Sequence, residues 1–197
     1  MKYVIILTTL ILAYMIYDSN NIKKANIYSE LTIDNEPFQD STNKPPFYIN
    51  KYKVTPLRKY KIQARILSKK EYNNNDPADF NMNFDLALGW KEMSDLNNLE
   101  KISISQRNRW YYWKTPEFFI SREQIEHNSS NHHIIHSSDR MYDELDNLDE
   151  NQIIEMEGYL VKVEDENAKK TWVSSLTRED TRGGACEIFY VERLIIK

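Results

Sequence analysis

The side chains best suited to covalent chemistry lie near the C-terminus, around the chain's only cysteine. Cys186 follows Gly183-Gly184, and Ser175 precedes it on the other side of a charged stretch. A thiol becomes a strong nucleophile beside a base or a positive charge, and His133 is a candidate for that base. The sequence therefore offers Cys186, His133 and Ser175 as candidate catalytic residues, although a G-x-S-x-G elbow is missing. The alternative is that Cys186 is a small buried strand residue.

All four histidines fall within ten residues, at positions 127, 132, 133 and 136. Imidazoles at this spacing can bind zinc or copper, and on a strand His132 and His136 would share a face. The HExxH and CxxC signatures are both missing. We therefore predict no metal and no cofactor, and keep His132 and His136 as the alternative metal-binding pair.

An aromatic and basic cluster runs from Arg107 to Lys114. In a strand, alternation places Trp110 and Tyr112 on one face and Tyr111 and Trp113 on the other. One face can stack on planar groups or sugar rings while Arg109 holds an anion. The alternative is that an aromatic pair belongs to the core.

The predicted binding site combines one face of this cluster with charges around the cysteine. Asp85 is a further polar residue, since it lies in an apolar run; if it is buried it needs a partner, for which an arginine is the natural choice. Arg109, Asp180 and Glu187 form the polar site if they converge in the fold, and the assignment is wrong if they lie far apart. The structural alternative for the loop is that Arg178 and Asp180 pair to shape it. The predicted binding residues are Arg109, Tyr111, Trp113, Arg178, Asp180 and Glu187.

The elements around these residues are mostly strands. Lys59 to Ser68 alternates between apolar and polar residues, and Phe84 to Gly89 is a second apolar run. Short helices are predicted after the capping box at Ser121 and over Asp139 to Leu148. Further strands are predicted over 153–163, 170–175 and 185–196. We predict a mainly β fold with one or two short helices, a small curled sheet or barrel. An oligomer-binding-like barrel fits best, because a helix precedes the last strands.

The N-terminal residues Tyr3 to Tyr17 are uncharged and apolar, and Lys2 precedes them. This pattern is typical of a signal anchor or signal peptide, with a buried core helix as the remaining alternative. We predict a hydrophobic helix over 1–17, a linker over 18–52 and one β-rich extracytoplasmic domain over 53–197. The expected location is the bacterial inner membrane, crossed once, with the domain facing the periplasm or the cell exterior.

Composition limits the partners. The net charge of −4 is small, and one cysteine excludes an intrachain disulfide. Nine basic residues and no acid lie between Lys44 and Lys70, whereas eleven acids lie between Asp139 and Glu166. We expect these two stretches to pair with each other, and we predict no nucleic-acid partner.

Three segments together resemble a family of bacterial exported and membrane-anchored proteins to which no activity is assigned. They are Phe84 to Trp90 with Met93-Ser94-Asp95, Ile104-Ser105-Gln106 with Arg109 to Trp113, and Gly158 to Val161 with Trp172 to Arg178, Asp180-Thr181 and Gly184 to Glu187. The resemblance covers roughly residues 55 to 195 and implies a shared domain and an exported location. It supplies no catalytic residues, and Arg182 stands where the family pattern has a small residue.

These observations predict a membrane-tethered extracytoplasmic binding or interaction domain. Its partners would be the membrane, through residues 3–17, and an envelope protein or polymer. The alternative is a cell-envelope hydrolase that uses Cys186 or a serine with a histidine base.

Overall fold

The computed structural model describes residues 32–72, 81–165, 167, 169–177 and 186–197. The predicted N-terminal helix of 1–17 lies outside these ranges. Residues from Thr32 to Lys197 form one compact unit. Among the described residues, no helix is both long and apolar enough to cross a membrane.

The unit is mainly β, as predicted, and its helices are short. The strands are β1 (Phe38–Asp40), β2 (Phe47–Ile49), β3 (Tyr52–Glu71), β4 (Phe84–Gly89), β5 (Ser103–Arg107), β6 (Trp110–Lys114), β7 (Ser129–His136), β8 (Ile153–Asp165), β9 (Lys170–Val173) and β10 (Glu187–Ile196). The helices are α1 (Leu96–Leu99), α2 (Arg122–His127) and α3 (Asp139–Asp146), and a 3-10 turn spans Lys91–Ser94. The capping box predicted at Ser121 is present at the start of α2.

The main sheet curls until it closes on itself. The strand β3 pairs with β4, β4 with β7, β7 with β10, β10 with β8, and β8 again with β3. The β7–β10 pair is parallel, and the other four pairs are antiparallel. The long strand β3 shifts register near Pro56, where a residue without a backbone N–H suits a bulge.

The two faces of β4 pack against different layers, which explains why the whole strand is buried. Phe84, Leu86 and Leu88 point into the main core, which the ring of strands encloses. Ala87 belongs to a second apolar cluster with Met93 and residues of the β5–β6 hairpin and α2. Because side chains alternate along a strand, Asp85 shares the face of Ala87 and lies on the side that the hairpin covers.

Gly158 lies in β8 at a close approach to β10. A Cβ added there would lie 2.0 Å from the carbonyl oxygen of Tyr190, next to the register shift between Val191 and Arg193. The glycine therefore has a structural role in bending the sheet.

The structure differs from the predicted boundaries at the start of the domain. The strands β1 and β2, within the predicted linker of 18–52, pair with β3, and Ile33 is buried in the main core. The described unit thus starts at Thr32 rather than at residue 53. These segments cover successive lengths of one edge of β3 that would otherwise expose unpaired backbone groups.

The basic and acidic stretches pair across β3 and β8. Lys61 contacts Glu155 at 3.0 Å and Glu157 at 2.8 Å, and Lys51 contacts Asp165 at 2.9 Å. Opposite charges directly across a strand pair stabilise its register.

Candidate functional site

Asp85 is the buried centre of the candidate site. It lies opposite His133 in the β4–β7 pairing and has no exposed side-chain surface. Its Oδ1 atom accepts a hydrogen bond from Arg109 Nη1 at 2.9 Å and lies 2.8 Å from His133 Nδ1. A carboxylate only accepts, so His133 donates from Nδ1 and its Nε2 atom is left to face other groups. The arginine partner expected for a buried Asp85 is Arg109.

Arg109 reaches Asp85 from the tip of the β5–β6 hairpin. Arg107 pairs with Trp110, so the turn consists of Asn108 and Arg109, whose φ angles are 54° and 66°. Two left-handed residues are typical of the tight turns that suit hairpin twist, and the second position usually prefers glycine. An arginine there carries a backbone cost, which its side-chain contacts offset.

The contacts of Arg109 fasten the hairpin to the site. Its guanidinium carbon lies 3.9 Å from the centre of the Tyr72 ring, and Nη1 also donates to the carbonyl of Met82 at 3.0 Å. The backbone N–H of Arg109 donates to the Tyr72 hydroxyl at 3.0 Å. Burial, followed by weaker effects that include the nearby Asp85 charge, raises the pKa of Tyr72.

Cys186 completes a chain of three groups. It is partly exposed and directly precedes β10, whose first residue Glu187 pairs with His132 in the parallel β7–β10 ladder. This register places Cys186 near His133, close enough for the two side chains to interact electrostatically. His133 thus lies between the Asp85 carboxylate, which can orient the imidazole, and the Cys186 thiol.

The protonation of His133 follows from these two neighbours. Burial by itself lowers the pKa of His133, but the hydrogen bond to Asp85 and the electrostatic effects of Asp85 and Cys186 outweigh burial and raise it to about 9. His133 is therefore an imidazolium at neutral pH. An imidazolium beside a thiol is the arrangement that activates the nucleophile of cysteine enzymes.

Asn131 lies two residues before His133 on the same face of β7. Its Nδ2 atom is 4.0 Å from Cys186 Sγ and donates to the backbone oxygen of Arg109 at 3.1 Å. Its Oδ1 atom accepts a hydrogen bond from Gln106 Nε2 at 2.6 Å. Gln106 therefore orients the Asn131 amide so that the NH₂ group points toward the thiol.

Two of the predicted binding residues, Tyr111 and Trp113, point inward from the hairpin rather than toward solvent. The Tyr111 hydroxyl hydrogen-bonds Ser129 at 3.1 Å, and burial raises the pKa of Tyr111 to about 12. Trp113 packs with the second apolar cluster and against Phe118. Both rings fill the space between the hairpin and α2, whereas Trp110 and Tyr112 are the exposed pair.

The structure describes two of the remaining predicted residues near the thiol, Ser175 and Glu187. The Ser175 N–H donates to the carbonyl of Cys186 at 3.0 Å, while its hydroxyl donates to Thr177 O at 3.1 Å. Glu187 is buried beside Cys186. Arg178 and Asp180 lie outside the described residues, so the predicted convergence of Arg109, Asp180 and Glu187 stays a prediction.

The alternative metal pair is separated in the structure. His132 lies in the main core, where its Nε2 atom is 3.0 Å from the Tyr60 hydroxyl and its ring stacks on Tyr60. His136 Nδ1 lies 3.2 Å from the Ser138 carbonyl, and burial lowers its pKa. Within the described ranges, no group of three or more His, Cys, Asp or Glu residues could hold a metal ion.

Three residues of the site were not predicted from the sequence: Tyr72, Gln106 and Asn131. Asn131 had a detectable signal, because positions 131 and 133 of a strand share a face. Tyr72 and Gln106 come from distant segments, and no sequence pattern indicated that they would join the site.

In comparisons with protein-family models, curated proteins and solved structures, nothing matches this chain.

Proposed function

We propose that the domain is a cysteine-dependent acyl-transfer enzyme, a hydrolase of esters, thioesters or amides. The observation that carries the proposal is the position of His133, which is hydrogen-bonded to the buried Asp85 carboxylate and interacts electrostatically with Cys186. In this proposal Cys186 is the nucleophile, His133 the general acid and base, and Asp85 the residue that orients the ring.

The reaction proceeds in two steps that these groups can balance. The Cys186 thiolate attacks the acyl carbon and forms a carbon–sulfur bond, while His133 donates a proton to the departing alcohol, thiol or amine. The neutral imidazole then removes a proton from water, which attacks the thioester and releases the acid. The thiolate and the imidazolium are restored.

Asn131 is suited to stabilise the oxygen of the tetrahedral intermediate. That oxygen is attached to the carbon bonded to Sγ, and the Asn131 Nδ2 atom lies 4.0 Å from Sγ. A preorganised amide donor at such a place stabilises the developing negative charge.

We infer that the curled sheet is an oligomer-binding-like barrel. Along the chain, the first to fifth strands of the ring are β3, β4, β7, β8 and β10. Around the ring they lie in the order first, second, third, fifth, fourth, and the third and fifth strands are parallel. The helix α3 lies between the third and fourth strands, as expected for this fold. Ligands of such barrels bind on the face of the second and third strands, which here carry Asp85 and His133.

We further propose that residues 1–17 tether the domain to the bacterial inner membrane and that it faces the periplasm or the cell exterior. The uncharged segment Tyr3 to Tyr17 supports this location. The substrate would then be an acylated or amide-linked component of the envelope.

A second candidate is a tethered binding domain without catalysis, in which the site only stabilises the hairpin. The observation that favours it is the exposed pair Trp110 and Tyr112, with 41% and 45% of their surface accessible. Aromatic rings held at a surface commonly mark binding sites.

Alkylation of the full-length protein by iodoacetamide tests the enzyme proposal, since Cys186 is the only thiol that can react. We expect wild-type protein to react at pH 6 to 7 more than about tenfold faster than His133→Gln, because the imidazolium favours the thiolate. Hydrolysis of p-nitrophenyl acetate should fall in parallel and vanish in Cys186→Ser.

His136→Gln is the matched control, because this histidine lies outside the site and should leave the alkylation rate unchanged. Circular dichroism verifies that each variant folds. Equal alkylation rates in wild type and His133→Gln would refute the enzyme proposal and leave the binding domain as the better interpretation.

A further inference from the structure

The β5–β6 hairpin has an inner and an outer face. Its inner residues cover the candidate site and pack with the second apolar cluster. Its outer residues are Ser103, Ser105, Arg107, Trp110, Tyr112 and Lys114, all of which are exposed. The outer face is therefore a surface that the rest of the described unit leaves open.

The two aromatic rings lie side by side on this face. Trp110 and Tyr112 are two residues apart on one strand, which places their Cα atoms about 7 Å apart. Ser105 lies opposite Tyr112, and Arg107 lies opposite Trp110. The guanidinium of Arg107 is 5.9 Å from the centre of the Tyr112 ring, so the cation lies at the edge of the aromatic surface.

Charge on this face has a single sign. Arg107 and Lys114 stand near its two ends, and none of the six outer residues is acidic. Neither cation forms an ion pair with any residue that the structure describes. The face thus presents unneutralised positive charge next to two exposed aromatic rings and hydroxyl groups.

We propose that the outer face of the hairpin binds an acidic polysaccharide. The rings of Trp110 and Tyr112 stack on sugar rings, the serine hydroxyls bond to sugar hydroxyls, and Arg107 and Lys114 pair with acidic groups along the polymer. This inference rests on the binding candidate of the preceding subsection, names its ligand class, and does not depend on Cys186.

A polysaccharide fits this face better than an anionic membrane does. Membrane insertion needs a continuous apolar surface, whereas here the two rings lie opposite Arg107 and Ser105, among charged and hydroxyl side chains. Single-stranded nucleic acid also stacks on aromatic rings, but its binding depends on a row of cations along the phosphates, and this face offers only Arg107 and Lys114.

The test is affinity electrophoresis of the full-length protein in gels that contain polygalacturonate, with neutral dextran as the comparison polymer. We expect wild-type protein to be retarded by polygalacturonate and much less by dextran. The double variant Trp110→Ala/Tyr112→Ala should lose affinity about tenfold or more, because each ring provides a stacking surface. Arg107→Ala/Lys114→Ala should lose the preference for the acidic polymer.

Tyr48→Ala is the matched control, since Tyr48 is an exposed aromatic residue on β2, 61% accessible, and its loss should change nothing. Cys186→Ser should bind as wild type does, which separates this proposal from the enzyme proposal. The proposal is overturned if the aromatic double variant binds polygalacturonate as well as wild type, or if wild type is not retarded. It is equally overturned if anionic vesicles or single-stranded DNA bind to this face and polygalacturonate does not.

Discussion

The protonation of His133 provides a direct test of the site, because one substitution should remove the main cause of its raised pKa. Asp85 and Cys186 together hold that pKa at about 9, against an ordinary 6.5. In Asp85→Asn the acceptor charge is gone, while the burial that disfavours the imidazolium remains. We expect the pKa of His133 to fall well below 9 in this variant.

The free energy by which the site favours the imidazolium follows from the difference between the two pKa values. The difference between about 9 and 6.5 means that the folded site favours the imidazolium by roughly 3 kcal/mol. Asp85 accounts for more of this preference than Cys186 does. Cys186→Ser should therefore lower the pKa by less than Asp85→Asn.

The assay is a titration of the four histidines by NMR, with the ring carbons labelled and each resonance assigned by a His→Gln substitution. His136 is the internal reference, because its pKa is below the ordinary value for a different reason and should stay there. A pKa of His133 near 6.5 in wild type, or one that Asp85→Asn leaves in place, would refute the assigned chain of contacts.

Three further outcomes are expected in urea unfolding of the full-length protein. A pKa of His133 raised in the folded state stabilises the protein below pH 6.5, and this contribution is lost as pH rises toward 9; His133→Gln should flatten that part of the pH profile. Gly158→Ala should lower the free energy of unfolding by about 1–3 kcal/mol or more, since its Cβ meets backbone 2.0 Å away; an unchanged midpoint would contradict the close packing. Tyr60→Phe should cost about 1–3 kcal/mol because it removes the buried hydroxyl that lies 3.0 Å from His132 Nε2, whereas Tyr48→Phe at the surface should cost nothing measurable.

The strands were predictable where local alternation determines them. The pattern of Tyr60 to Ile66 and the apolar run at Phe84 identify β3 and β4, and Ser121 identifies α2. Asp85 was also informative, because the cost of burying a charge predicts a cationic partner without any knowledge of the fold.

The site itself depends on pairings that local sequence does not encode. Asp85 meets His133, and Cys186 reaches it, only through the registers of β4, β7 and β10. Alternation in the hairpin separates Trp110 and Tyr112 from Tyr111 and Trp113 but cannot tell which pair faces inward. The predicted pair, Tyr111 and Trp113, is the inward-facing and partly buried one, because the direction is decided by the apolar surface that α2 and β4 offer.

The register of β10 also has a consequence for how the protein reaches its location. Asp85, Arg109 and His133 precede Cys186 in the chain, and the thiol joins them only when β10 inserts between β7 and β8. A chain that crosses a membrane before folding therefore carries an ordinary, weakly reactive cysteine. Under the proposed function, the reactivity of Cys186 would emerge only when the sheet closes, so that folding itself would serve as the activation step of an exported enzyme.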